Sequence, residues 1–236
     1  MSTPQLPLVL RAPADQRLET FVGNDIAVAA LRALAQGDDT GTAYVSGAEA
    51  SGKTHALLAT VAAANEAGRD AAYLPLHAMR GHLAAALDGR EAAALVALDG
   101  LDAIVGERED ETALFHFHNR ARAAGCSVIY AARTHPDGLG LELPDLRSRL
   151  AQGLRFTLAT PNDDARCEIL RRRAVRRGLL LDEAALEFLL RRASRNLSEL
   201  ATLFERIDRE SLAAQRRVTV PFLRELLSQE YQPPLP

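Results

Sequence analysis

Five short apolar runs, at residues 42–46, 71–76, 94–98, 127–132 and 155–159, alternate with longer stretches whose apolar positions recur at helical spacing. Runs this short match buried strands rather than helices. Strands separated by helices join by right-handed crossovers, so the pattern predicts an α/β fold with a parallel five-stranded sheet covered on both faces. After Thr160 the strand signal stops. Pro161, Asn162, Asp163 and Asp164 supply a cap and an acidic first turn for a helix to about Arg177, which Gly178 ends. Asp182 can cap a second helix through 193, Asn196 or Ser198 a third to about 216, and Thr219 before Pro221 opens a short last one. The expected organisation is an N-terminal peptide (1–12), a core (13–160), a small helical domain (161–228) and a Pro-rich tail (229–236) expected to be disordered.

Within the first half, one stretch carries explicit chemistry. Gly47-Ala48-Glu49-Ala50-Ser51-Gly52-Lys53-Thr54 matches the phosphate-binding P-loop in full, with an apolar strand before it and an Ala/Leu-rich helix, 55–67, after it. Its glycines let backbone N–H groups turn inward around phosphates, and the following helix adds the positive end of its dipole. Lys53 is the only lysine among 28 basic residues, the rest being arginine. A compact ammonium fits between the β and γ phosphates where a planar guanidinium fits poorly. The Thr54 hydroxyl is placed to reach a magnesium ion, while His55 reads as a packing or exposed histidine beside the loop. Leu95-Val96-Ala97-Leu98-Asp99 is an apolar strand ending in a carboxylate, the Walker B arrangement, in which Asp99 holds the water shell of Mg2+. ATP or ADP with Mg2+ is the implied ligand.

Composition excludes several classes. A net charge of −3 lacks the basic excess of a dedicated nucleic-acid binder. Arginine is dense at 166–177 and 191–195, which reads as solvated helix faces. Cys126 and Cys167 share no metal-ligand or CxxC spacing and read as reduced thiols. With no leader pattern and no apolar run long enough for a bilayer, a cytoplasmic protein without membrane association is expected.

A P-loop core followed by a helical lid is the layout of AAA+ nucleotide-binding proteins. The stretches Thr20-Phe21-Val22-Gly23-Asn24, Gly52-Lys53-Thr54-His55, Leu143-Pro144-Asp145-Leu146-Arg147-Ser148-Arg149-Leu150 and Ala214-Gln215-Arg216-Arg217-Val218-Thr219-Val220-Pro221-Phe222 are narrower. Together they resemble the DnaA family of replication-initiation proteins, and within it the short Hda-type branch of negative regulators. The resemblance implies nucleotide contacts at Val22, Gly23, Asn24, Gly47, Ala50, Ser51, Gly52, Lys53, Thr54 and His55. It implies an arginine finger at Arg149, with Arg147 as the fallback, that reaches the nucleotide of another subunit. Gln5-Leu6-Pro7-Leu8-Val9-Leu10 looks like the glutamine-led peptide that docks on the DNA polymerase sliding clamp. Gln5, Leu6, Leu8 and Leu10 would make that contact as an extended segment, an edge strand or packed arm being the alternative.

The initiator's DNA-binding helix-turn-helix is not expected, because the lid ends near Ser228, and residues 77–91 leave room for about one helix. Direct sequence-specific DNA binding is therefore not expected. Three positions depart from an active ATPase: Gly100 stands where a second acid is usual, Arg133 where a polar or acidic sensor is usual, and Ser198 where the lid arginine is usual. Asp102 reads as a solvated acid or a helix-start acid, and Arg195 or Arg192 as a surface residue or a substitute for the lid arginine. The expected protein holds ADP, hydrolyses ATP poorly by itself, docks on the sliding clamp and promotes hydrolysis of DnaA-bound ATP, with homo-oligomers open. An autonomous ATPase such as a helicase loader is the other reading, and a small-molecule kinase fits the helical lid less well.

Overall fold

The structure, a computed structural model, describes residues 17–192, 197–214 and 217–228, with backbone alone at 192, 197–201 and 212–214. The expected clamp peptide, the tail, Arg195 and Asn196 lie outside the described residues, as do the side chains of Arg192 and Ser198. Five strands form one sheet: β1 (Thr42–Ser46), β2 (Ala71–Pro75), β3 (Leu95–Asp99), β4 (Ser127–Ala132) and β5 (Leu154–Thr157). All pairings are parallel, in the order β2-β3-β4-β1-β5. β3 is displaced by one residue from its apolar run. Asp99 belongs to it because that residue stands opposite both Pro75 and Ala131, which extends the ladders past the last apolar side chain. β5 ends at Thr157, although Leu158 N still donates to Ser46 O at 2.8 Å.

Strand alternation sorts the core into two layers. Val45, Ala97, Ile129 and Ala131 face α1 (Asp25–Gln36) and α2 (Lys53–Glu66), and pack with Leu31, Leu34 and Leu57. Tyr44, Val96, Leu98, Val128 and Tyr130 face the other way. They pack under α4 (Arg108–Ala124) and α5 (Pro144–Ala151) against Leu114, Phe117 and Leu146. Between β2 and β3 only a short helix forms, α3 (Leu83–Leu87), with 3-10 turns on either side. Gly81 and Gly89 take positive φ (78° and 71°), which ends helical propagation at both sides. Buried Asp110 then holds the entry to α3, accepting from Gly81 N at 2.6 Å and Leu83 N at 3.2 Å.

The C-terminal helices are α6 (Asp163–Arg176), α7 (Glu183–Arg192), α8 (Leu197–Ala214) and α9 (Val220–Ser228), closed around Leu170, Leu189, Phe204, Ile207 and Leu223. Asn162 Oδ1 accepts from Ala165 N at 2.9 Å and Asp182 Oδ1 from Ala185 N at 2.7 Å, so both act as N-caps. The arginine-dense stretch keeps Arg171, Arg172 and Arg176 on the solvated face expected of it but departs from that face at three other positions. Arg166 and Arg173 are buried, and Arg177 pairs with Glu205 and Asp208 of α8. An arginine stem packs as an apolar chain, so density of charge in sequence does not fix exposure. Among the described residues no helix is long and apolar enough to cross a membrane.

Candidate functional site

β1 runs into the P-loop at its C-terminal end, and α2 begins at Lys53. The loop has little room for side chains at Gly47, where an added Cβ would lie 2.7 Å from Leu158 O. Gly52 takes φ +94° with Phe21 Cζ 3.2 Å from where a Cβ would stand. These two glycines serve close approach and a left-handed turn respectively. Lys53 Nζ donates to Gly47 O and Ala48 O, each at 2.7 Å, so the ammonium is held over the loop at the head of a helix. Partial burial lowers the Lys53 pKa, and the charges of Asp99 and Asp102 oppose that shift. Ser51 is buried beneath the loop.

At the C-terminal end of β3, Asp99 Oδ2 accepts from Thr54 Oγ1 at 2.6 Å and from Tyr73 Oη at 2.8 Å. The sheet register explains the second contact, since Tyr73 on β2 lies two residues before the Pro75 that stands opposite Asp99. Burial, then the Asp99 charge, raises the Tyr73 pKa, so the phenol remains a donor. Oxygen donors from a hydroxyl and a carboxylate suit a hard divalent cation such as Mg2+. Gly100 follows in a left-handed conformation, φ 81° and ψ 54°, and its N–H donates to Ala131 O at 3.0 Å. Any side chain there costs about 1–2 kcal/mol in backbone strain. Both oxygens of Asp102 accept from Arg133 N, at 3.2 and 3.0 Å, which fixes the turn leaving β4. This structural role, rather than activation of water, accounts for its position three residues beyond Asp99.

Beside the P-loop a cleft runs between the N-terminal segment and the lid. Val22, Asn24, Ser51, Gly52 and His55 line it, with Thr20, Phe21, Pro161, Ile169 and Arg173, which sequence reasoning left out. Gly23 and Asn24 both have positive φ (74° and 57°), and Ala159 N donates to Asn24 Oδ1 at 3.4 Å. His55 Nε2 lies 3.5 Å from Thr20 Oγ1 and 3.4 Å from Arg17 O, and its ring centroid is 5.5 Å from that of Phe21. It packs and anchors the N-terminal segment. Arg172 of α6 donates to Phe21 O at 3.0 Å and Glu19 O at 3.3 Å, fastening the lid to the same segment. Phe21 was visible as an aromatic in a stretch already singled out. The lid residues carried no sequence signal beyond their helix.

Arg149 stands apart from all of these. It is half-buried in the last turn of α5, and it lines a second cleft with Thr40 and Thr42 at the start of β1, Cys126 just before β4, and His118 and Arg122 of α4. That is the N-terminal edge of the sheet, whereas the P-loop and Asp99 occupy the C-terminal edge. Five residues of β1 separate the two, about 16 Å at strand rise. Arg147 is exposed on the same helix. Buried His118 accepts from or donates to Tyr130 Oη at 2.9 Å. Burial first, then Arg149 and Arg122, push its pKa down to about 4. The structure thus groups the P-loop residues, Thr54 and Asp99 with the cleft residues, and sets Arg149 at the far edge.

Residues 163–227 match the family described as Hda, lid domain. Domain III of the Thermotoga maritima replication initiation protein DnaA superposes with a TM-score of 0.75 at 21% identity, covering 94% of this chain and 99% of that one. AMPPCP-bound DnaA from Aquifex aeolicus gives 0.66 at 22% identity, over 83% of this chain and 66% of that one. The Thermotoga maritima RuvB Holliday junction branch migration motor gives 0.64 at 18%, over 92% and 72%. At these identities the structural likeness establishes the fold, a P-loop α/β core with a helical lid.

Proposed function

We propose that this chain, whose lid matches the Hda lid family and whose fold is that of DnaA domain III, holds adenine nucleotide, ADP above all, and presents Arg149 to the ATP bound by DnaA. Hydrolysis then occurs on the partner and initiation of replication is switched off. The observation that carries this reading is the separation of Arg149 from its own P-loop by the length of the sheet. A guanidinium so placed cannot serve the nucleotide of its own chain. Supplied to a neighbouring subunit, it would stabilise charge developing on the transferred phosphoryl group, an effect worth about 10³–10⁵ in rate.

The P-loop geometry supports nucleotide binding: Lys53 held over the Gly47 and Ala48 carbonyls, a helix N-terminus behind it, and a cleft with apolar and aromatic walls beside it. Thr54 and Asp99 would hold Mg2+, whose chemistry there is to neutralise phosphate charge. Gly100 supplies no base to orient an attacking water, which supports slow turnover by the isolated protein. Docking on the sliding clamp through Gln5, Leu6, Leu8 and Leu10 completes the proposal.

The test is hydrolysis of ATP by DnaA with clamp loaded on DNA. Wild type should stimulate it, Arg149→Ala should not, and both should bind ADP and clamp alike. Replacing Gln5, Leu6 and Leu8 by Ala should remove clamp binding and leave ADP binding intact. Full stimulation by Arg149→Ala would move the finger, first to Arg147; no stimulation by wild type would sink the regulatory reading. The intact Thr54–Asp99 contact favours one rival, an autonomous ATPase, which turnover of the isolated protein at about 1 s⁻¹ or more would establish.

A further inference from the structure

Asp99 stands close to where phosphates would lie and accepts two protein donors. A carboxylate offers about four lone-pair sites, two on each oxygen. Thr54 Oγ1 and Tyr73 Oη both donate to Oδ2, which saturates that oxygen, whereas Oδ1 has no donor among the described residues. The hydroxyl of Thr54 belongs to the P-loop and accompanies it wherever the motif occurs. Tyr73 comes from β2, one strand away, and nothing in the motif requires it. Its phenol is half-buried and donates to Asp99 Oδ2 across the strand pairing.

The consequence follows from charge. In the absence of a metal, an ionised Asp99 repels a bound diphosphate, and only hydrogen bonds and the Lys53 ammonium offset that repulsion. With a divalent cation between them, the metal performs the neutralisation and one more donor on Oδ2 matters little. We propose that Tyr73 is a positioning residue which holds Asp99 and disperses its charge, so that this chain retains ADP without a divalent cation. The inference rests on the nucleotide-binding reading above. It adds a regulatory property to that site: retention of nucleoside diphosphate that is insensitive to the supply of free Mg2+.

The experiment is the affinity for ADP, measured by calorimetry in Mg2+ and again in EDTA, for wild type, Tyr73→Phe, Asp99→Asn and the double variant. Wild type should differ by less than about threefold between the two conditions. In Tyr73→Phe the affinity in EDTA should fall by more than about threefold, since the hydrogen bond exists with or without ADP and only the added repulsion between Asp99 and the diphosphate is felt, and the affinity in Mg2+ should change by less than about twofold. On an Asp99→Asn background, Tyr73→Phe should add nothing in EDTA, because no charge remains to disperse. A merely structural role would weaken binding equally in both conditions; that outcome, or no change in either, overturns the proposal. If wild type binds no ADP at all, the nucleotide-site reading falls and takes this inference with it, whereas ADP binding with an unchanged ratio sinks the inference alone.

Discussion

Replacing Glu111 by Gln should destabilise the protein by about 3 kcal/mol, an estimate that comes from counting its hydrogen bonds. The side chain is fully buried at the start of α4. Its Oε1 accepts from Gly106 N at 3.0 Å and Glu142 N at 3.2 Å, and its Oε2 from Leu143 N at 2.8 Å. Glutamine of the same shape can keep its oxygen toward only one side. If Oε1 keeps its two donors, the new NH2 faces Leu143 N–H, and one hydrogen bond to a charged acceptor is lost at about 1.5–3 kcal/mol. The two retained bonds lose their charge assistance, roughly half their strength. Against a total stability of about 5–15 kcal/mol this is a severe loss, and it should lower the melting temperature by about 6–12 °C. Urea unfolding by circular dichroism, with the m-value unchanged, measures it directly. Glu142→Ala is the control, since that exposed residue contributes only its backbone N–H and should change stability by under about 0.5 kcal/mol. A loss below about 1 kcal/mol for Glu111→Gln would refute the reasoning, because it would mean the three N–H groups find water or other acceptors at little cost.

Lys53→Arg should weaken ADP binding clearly by calorimetry, because the broad guanidinium cannot occupy the position from which Nζ reaches both Gly47 O and Ala48 O; unchanged affinity would count against the P-loop assignment. His118, with its pKa lowered to about 4, binds fewer protons in the folded than in the unfolded chain. Its contribution to stability is therefore present above about pH 6.5 and lost as pH falls toward 4. Denaturant midpoints across that range should show less decline for His118→Asn, whose side-chain oxygen can still meet Tyr130 Oη, and equal slopes would remove His118 as the cause.

What could be read from sequence was what is local. The P-loop is eight consecutive residues, the Walker B strand five, and the lid caps lie within a turn of the helices they start, so pattern and chemistry coincide in one window. Tyr73 escaped notice because its link to Asp99 spans 26 positions and exists only through the parallel register of β2 on β3. Glu111 was hidden for a different reason. It stands in the run Arg108-Glu109-Asp110-Glu111, where charge suggests a solvated helix start, yet Asp110 and Glu111 are the two that turn inward. Arg166, buried beside Asp163 at 3.0 Å, repeats the lesson in the lid. Charged residues are buried when backbone donors or acid partners already wait for them, and those partners are supplied by loops whose paths no periodicity encodes.

The buried acids also bear on how a nucleotide site at one edge of the sheet and an arginine at the other can belong to one device. Asp99 ends β3, and the segment from Leu101 to Gly106 leaves it. Asp102 in that segment holds Arg133 N at the exit of β4. At its far end Gly106 N reaches Glu111, and the same carboxylate receives Glu142 N and Leu143 N, the residues that lead into α5. The segment 101–106, held at one end by Asp102 and at the other by Glu111, therefore links the Walker B turn through the chain itself to the entry of the helix that bears Arg149. Each hold is a carboxylate accepting backbone N–H groups, a charge-assisted contact stronger than one between neutral groups. The helix that bears Arg149 is thus pinned at Leu143 by the same core that carries Asp99, so Arg149 stands on a fixed element rather than on a free surface loop.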